Sequence, residues 1–210
     1  MAGFRGIKVP VRLSMTTASV MMAVILISGS LYAGAIEDEK GISLGIKLLG
    51  SSLNLDDEDD TFIEDNGGGL QLDFGYRFNP SFALELALGG AGHETEISGI
   101  DAFFGMGQLL AYYRFLPDGA FRPYIKGGFG GYSLEIKENS ESISMEGGGF
   151  VFGGGFKYFF TEHVALGLDL THNIINYNKG KLKSGEFSVE TDIDEDGSQT
   201  SLGLSLSYSF

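Results

Sequence analysis

The chain has no cysteine, no tryptophan, half as many basic as acidic residues, and no long uninterrupted apolar run. Without cysteine, neither a disulfide framework nor a thiolate metal site can form. Without tryptophan, aromatic anchoring falls to 9 tyrosines and 17 phenylalanines. The shortage of positive charge excludes a partner class. Only 14 Lys and Arg stand against 28 Asp and Glu, and a surface that acidic repels nucleic-acid phosphates. A phosphate loop is missing as well. The glycine runs at 67–69, 147–149 and 153–155 are followed neither by Lys-Ser/Thr nor by a helical pattern. No cofactor is expected.

What is present begins with a leader. Arg5, Lys8 and Arg12 precede an apolar stretch that is richest over residues 20–27, and Ala33-Gly34-Ala35 fits a small-x-small cleavage site. The apolar stretch is shorter than the roughly 20 residues a spanning helix needs, which favours a cleaved signal peptide over an anchor. Residues 1–35 therefore read as a signal peptide, residues 36–210 as the mature domain, and the product as exported. Its 11 bases and 28 acids give a net charge of −17, since the leader carries three bases and no acid.

The last eleven residues, T-S-L-G-L-S-L-S-Y-S-F, carry the fold. Leu202, Leu204, Leu206, Tyr208 and Phe210 alternate with Ser201, Gly203, Ser205, Ser207 and Ser209. Strand side chains alternate faces with a period of two, so this is a strand with one greasy and one small polar wall. The same pattern recurs seven times upstream. Leu70, Leu72, Phe74, Tyr76 and Phe78 oppose Gln71, Asp73, Gly75 and Arg77, for example, and Val164, Leu166, Leu168 and Leu170 oppose Ala165, Gly167, Asp169 and Thr171. Eight strands of about 10 to 14 residues suit a tilted membrane crossing. Short turns at Asn79-Pro80-Ser81, Leu116–Ala120 and Thr161-Glu162-His163 alternate with polar connections at 54–66, 93–101, 136–146 and 173–198. Transmembrane barrels place short turns in the periplasm and long loops outside, which puts both mature termini in the periplasm. Tyr76, Phe78, Tyr113, Phe115, Tyr158, Phe160, Tyr208 and Phe210 cluster near the short turns, as an interfacial girdle does. The reading is an all-β, eight-stranded antiparallel up-and-down transmembrane β-barrel. Glycines 127, 128, 130 and 131 predict a bend or bulge in the fifth strand.

On these residues the mature chain resembles the small eight-stranded outer-membrane barrels that include the OmpA transmembrane domain, OmpX and OmpW. The resemblance implies a Gram-negative outer-membrane location among outer-membrane lipid and lipopolysaccharide. It also makes Leu206, Tyr208 and Phe210 a terminal signal read by the barrel assembly machinery.

Eight strands enclose an interior that side chains roughly fill. The inward charges are Lys47, Arg77, Arg114, Lys126 and Lys157 against Asp73, Glu85 and Asp169. Buried charges require partners, and turn geometry predicts the diagonal pairs Arg77–Glu85 and Lys157–Asp169. A salt-bridged plug is the expectation, with a structural or surface-contact role; the alternative is a narrow porin-like channel for small solutes or apolar compounds.

Two chemical readings are weaker. Asp192, Asp194 and Asp196 followed by Gly197 match the first half of a calcium loop, but Gly203 stands where its bidentate Glu belongs. The acidic loops are expected to attract divalent cations loosely, without a metal site. A lipid A-modifying enzyme of the PagL kind pairs a His with a Ser two residues away. Here His172 is followed by Ile174, and no serine stands at a suitable spacing. His93, at a loop start, and His163, in a short turn, show no partner in the sequence. An enzyme is not expected.

Overall fold

A computed structural model describes residues 40–55, 63–95, 100–138, 141–184 and 187–210, which belong to one compact unit, Gly34–Phe210. The leader and the acidic run from Asp56 to Asp60 lie outside the described residues.

Eight strands follow one another: β1 (Gly41–Leu55), β2 (Ile63–Arg77), β3 (Phe82–Thr95), β4 (Ile100–Arg114), β5 (Phe121–Glu138), β6 (Glu141–Phe159), β7 (Val164–Ser184) and β8 (Phe187–Ser209). Each pairs antiparallel with the next, and β8 pairs with β1 to close an eight-stranded up-and-down barrel. The seam runs from Ser43 opposite Ser209 to Leu55 opposite Gly197. The Phe210 amide finishes it by donating to the Ile42 carbonyl at 2.9 Å.

Burial follows the two-residue period. On β8 every residue from Leu202 to Phe210 with an even number is exposed, and Ser201, Ser205, Ser207 and Ser209 are buried. An aqueous fold hides its leucines, whereas here most of them form the outer wall and polar groups fill much of the centre. Each even-numbered strand ends in a Tyr-x-Phe pair packed edge to face. Tyr76–Phe78, Tyr113–Phe115, Tyr158–Phe160 and Tyr208–Phe210 have ring centroids 4.9, 5.4, 5.1 and 4.9 Å apart. The girdle is therefore one motif repeated at four places around the short-turn end. Those turns use the expected chemistry. Asn79 Oδ1 accepts from the amides of Ser81 and Phe82, and Thr161 Oγ1 accepts from those of His163 and Val164.

Two expectations fail. Three of the polar connections are not long loops. Strands β5 to β8 run 18, 19, 21 and 23 residues, so strand structure covers 136–138, 141–146, 173–184 and 187–198, and β3 and β4 extend to Thr95 and from Ile100. Polar composition disguises an alternation that persists: Phe187, Val189 and Ile193 stand among Ser188, Glu190, Asp192 and Asp194. A hairpin outside the bilayer needs no apolar wall, only β-compatible residues and a partner strand. Nor does β5 carry the expected bulge. It pairs in continuous register with both neighbours, and the shifts fall at Ile63/Gly67 between β2 and β3, at Glu146/Gly147 between β6 and β7, and at Tyr177/Lys179 between β7 and β8.

Adjacent glycines on β6 separate close approach from mere tolerance. A Cβ on the inward Gly149 falls onto the Ile174 carbonyl oxygen and within 3.0 Å of the Ile175 Cα, both backbone. A Cβ on the outward Gly148 meets nothing nearer than the Gly130 oxygen at 3.7 Å. Gly149→Ala is expected to cost about 1–3 kcal/mol in a reversible denaturant titration of the refolded barrel, as overpacking does. Gly148→Ala is expected to gain about 0.4–1 kcal/mol by restricting the unfolded chain. Equal effects from the two changes contradict this assignment of faces.

Candidate functional site

The barrel interior concentrates the buried polar groups, and its side chains follow a fixed order along the strands. From the short-turn end, β4 presents Arg114, Tyr112, Leu110, Gln108, Met106 and Phe104, and β7 presents Asp169, Thr171, Asn173, Ile175 and Tyr177, all buried. Charge gives way to neutral amides, then to apolar groups.

Asp169 organises the charged part. Its Oδ2 receives Lys47 Nζ at 2.9 Å, Lys126 Nζ at 3.0 Å and the Tyr124 hydroxyl at 3.1 Å. Lys47 also lies 3.6 Å from Asp73, whose other oxygen accepts from Gln71 at 2.5 Å. Glu85 accepts from the Tyr112 hydroxyl at 2.5 Å, and the Tyr112 ring packs 5.1 Å from Tyr124 and 5.9 Å from the Lys126 ammonium. Lys47, Asp73, Lys126 and Asp169 are thus brought together, with Glu85 linked through tyrosine. The predicted diagonal pairs do not form. Among the described residues Asp169 pairs with Lys47 and Lys126, while the half-buried Lys157 makes no ion pair; Glu85 takes a phenol, not Arg77. Turn-adjacent spacing favoured neighbours in sequence. Coiling the sheet into a barrel instead brings β1 and β5 within reach of β7 across the interior.

A second assembly, which no sequence pattern announces, crosses the barrel next to the charges. Gln108 and Tyr132 donate to Asn173 Oδ1 at 3.0 and 3.1 Å, Asn173 Nδ2 donates to Gln199 Oε1, and Gln199 Nε2 donates to Ser51 Oγ at 2.7 Å. Five strands are tied by one chain of neutral hydrogen bonds, and Asn173 and Gln199 are fully buried. Asn173 opens the polar connection expected over 173–198, whose composition hides its inward position, and Gln199 lies just beyond it. The alternation Thr171, Asn173, Ile175 and Tyr177 could have placed Asn173. Beyond this bar, Leu49, Leu53, Phe104, Met106, Tyr132, Leu134, Ile175 and Tyr177 form an apolar cluster.

The remaining candidates lie apart. Asp192, Asp194 and Asp196 are on extended β8 rather than a calcium loop, and Asn176 donates to both Asp194 and Asp196 at 3.1 Å. Alternate strand positions hold these carboxylates in a row, whereas a calcium loop wraps its oxygens around the ion. His93 is buried on β3, not at a loop start. His163 has partners: its Nδ1 donates to the Ser209 carbonyl at 2.8 Å, and its ring stacks on Tyr208 at 5.5 Å. His172 has one as well, supplied by β8. Thr200 Oγ1 lies 2.9 Å from its Nδ1 on the outer wall, beside the Phe152 ring. Leu206, Tyr208 and Phe210 lie on that outer wall too, exposed.

The family model for the outer membrane protein beta-barrel domain matches residues 21–210. The chain belongs to this family. Outer-membrane location follows, and the exposed leucine and phenylalanine wall is the lipid-facing surface of a transmembrane barrel. No curated protein matches the chain significantly. Among solved structures, OprG from Pseudomonas aeruginosa is 17% identical, with 81% of this chain and 95% of that one aligned at a TM-score of 0.56. Neisserial surface protein A is 15% identical over 78% and 95%, at 0.55. Ail, the attachment invasion locus protein of Yersinia pestis, is 17% identical over 82% and 99%, at 0.53. At such identities the likeness establishes the fold of this outer-membrane barrel, and its interior has to be read from its own side chains.

Proposed function

We propose that this outer-membrane barrel is a plugged, non-conducting scaffold whose contacts are made at its long-hairpin end. It serves the envelope as a structural and surface-interaction protein, with the short turns and both mature termini in the periplasm. The observation that carries this reading is the hydrogen-bonded bar from Gln108 to Ser51, backed by the Lys47–Asp73–Lys126–Asp169 cluster. Passage of a solute breaks both, and a buried polar network is costly to leave half-satisfied. The tall β5–β8 side supports a surface role, since strands of 18 to 23 residues exceed the roughly 9–11 a bilayer crossing needs.

Charge selects the kind of partner. Ail is also solved with the heparin analogue sucrose octasulfate, a polyanion. Here β8 exposes Glu190, Asp192, Asp194, Glu195 and Asp196 against Lys179, Lys181 and Lys183 on β7. Such a hairpin suits cationic partners, or divalent cations shared with lipopolysaccharide phosphates. Leu206, Tyr208 and Phe210 keep their role as the terminal signal for the assembly machinery. We assign no catalysis to His172 and Thr200. A hydroxyl nucleophile needs its base oriented by a third group, and among the described residues no carboxylate bonds His172.

One observation favours a narrow channel for apolar compounds: the apolar cluster from Leu49 to Tyr177 lines the lumen beyond the bar. Conductance separates the two readings. The refolded protein in planar bilayers is expected to give no steady single-channel steps. Steps abolished by Lys126→Met favour the channel and end the plugged-barrel reading.

A further inference from the structure

Arg114 and Arg122 stand outside the bonded networks of the lumen. They flank the second short turn, Arg114 ending β4 and Arg122 near the start of β5, and both point inward. Arg114 pairs in register with Tyr124, which puts Arg122 two residues along on the same face. Such diagonal neighbours lie roughly 7–8 Å apart, within reach of long side chains.

Both residues are more than nine-tenths buried, at 9% and 2% exposure, and neither guanidinium is fully satisfied. Arg122 spends Nε on the Gly119 carbonyl at 2.9 Å and lies 4.3 Å over the Phe159 ring, but its Nη2 has no partner, nor has Arg114 Nη1. Arg77 adds a third positive charge to their field. Among the described residues the acids in that field are Glu85, whose carboxylate also accepts from Tyr112, and Asp118 on the turn, which is exposed. Lys157, opposite Arg122 in the β5–β6 register, adds positive charge and makes no ion pair among the described residues. Water can satisfy an N–H group, but among the described residues it leaves the excess of buried positive charge here without a counter-ion. The rest of the chain is strongly acidic, so this positive mouth runs against the protein's own charge.

We propose that the short-turn mouth of the barrel is an oxyanion site in which Arg114 and Arg122 together hold one phosphate group. A guanidinium offers planar, paired N–H donors that match phosphate oxygens, and two of them on one face beside the same turn complement a single tetrahedral anion. The same chemistry is offered by free phosphate and by a phospholipid headgroup. That the site opens to the periplasm rests on the orientation proposed above; the site itself does not.

The test is a titration of the purified, refolded barrel in detergent micelles, following arginine side-chain N–H resonances by NMR at constant ionic strength. One arm adds inorganic phosphate, a second adds glycerophosphoglycerol (a soluble phospholipid headgroup), and a third adds chloride as the control. A saturable shift with either phosphate compound but not chloride is expected, and the arm that binds more tightly identifies the source. Affinity is expected to fall at least tenfold in Arg114→Gln and Arg122→Gln. It is expected to fall less in Arg122→Lys, which keeps the charge and loses the paired donors. Unboiled migration on a denaturing gel checks folding, and Arg114→Gln carries the comparison if Arg122→Gln fails to fold. No saturation, equal response to chloride, or saturation unchanged in both Gln variants overturns the site. Binding that appears only when Glu37, Asp38 and Glu39 are neutralised overturns it too, because the chain's own acidic segment then occupies the arginines.

Discussion

Asp169→Asn is expected to lower the stability of the folded barrel by roughly 3–5 kcal/mol, the loss typical of removing one partner from a buried ionic pair. One carboxylate oxygen holds two ammonium groups and a phenol within 3.1 Å, and Asp169 is 3% exposed. Asparagine keeps the shape and removes the charge, so Lys47 retains Asp73 at 3.6 Å while Lys126 keeps no ion-pair partner among the described residues. Equilibrium unfolding in detergent or lipid reads the effect as a drop in the denaturant midpoint. Adding Lys126→Met to the same chain removes the stranded charge and is expected to restore part of the loss. A single variant as stable as the parent shows that water solvates these ammonium groups, and the plug is then wet.

Leu204→Arg tests the opposite wall, with an expected cost of about 2–4 kcal/mol in a bilayer if it lies near mid-depth. Leu204 is 46% exposed on β8, between Leu168 on β7 and Leu48 on β1 in the register. In a water-filled environment an exposed leucine changes to arginine at little cost, so the penalty measures the lipid around it. The same change at Val189, exposed on the long β7–β8 hairpin, is expected to cost less than about 1 kcal/mol, as depth dependence requires. Equal penalties at the two positions contradict the assignment of Val189 to the region beyond the bilayer.

Both changes rest on information of unequal visibility in the chain. Alternation of Leu202, Leu204 and Leu206 with serine and glycine was legible because a strand's period is a local property and the lipid-facing half demands apolar residues at every second position. The turn residues Asn79 and Thr161 were legible for the same reason, since each bonds its own neighbouring backbone. Polar alternation in 187–193 is hard to read because outside the bilayer nothing forces one face to be greasy, and charge alone suggests a loop.

The sequence by itself determined the strand number, the alternation of faces along the lipid-facing strands, the aromatic band at the turns and most of the inward charges, though not the buried Arg122. These follow from a two-residue period and from chemistry within a few residues. Only the closed barrel decided which charges meet. Asp169 reaches Lys47 and Lys126 from other strands, and Asn173 reaches Gln199 and Gln108, because shear and closure, which no local pattern encodes, bring β1, β4, β5, β7 and β8 around one narrow interior.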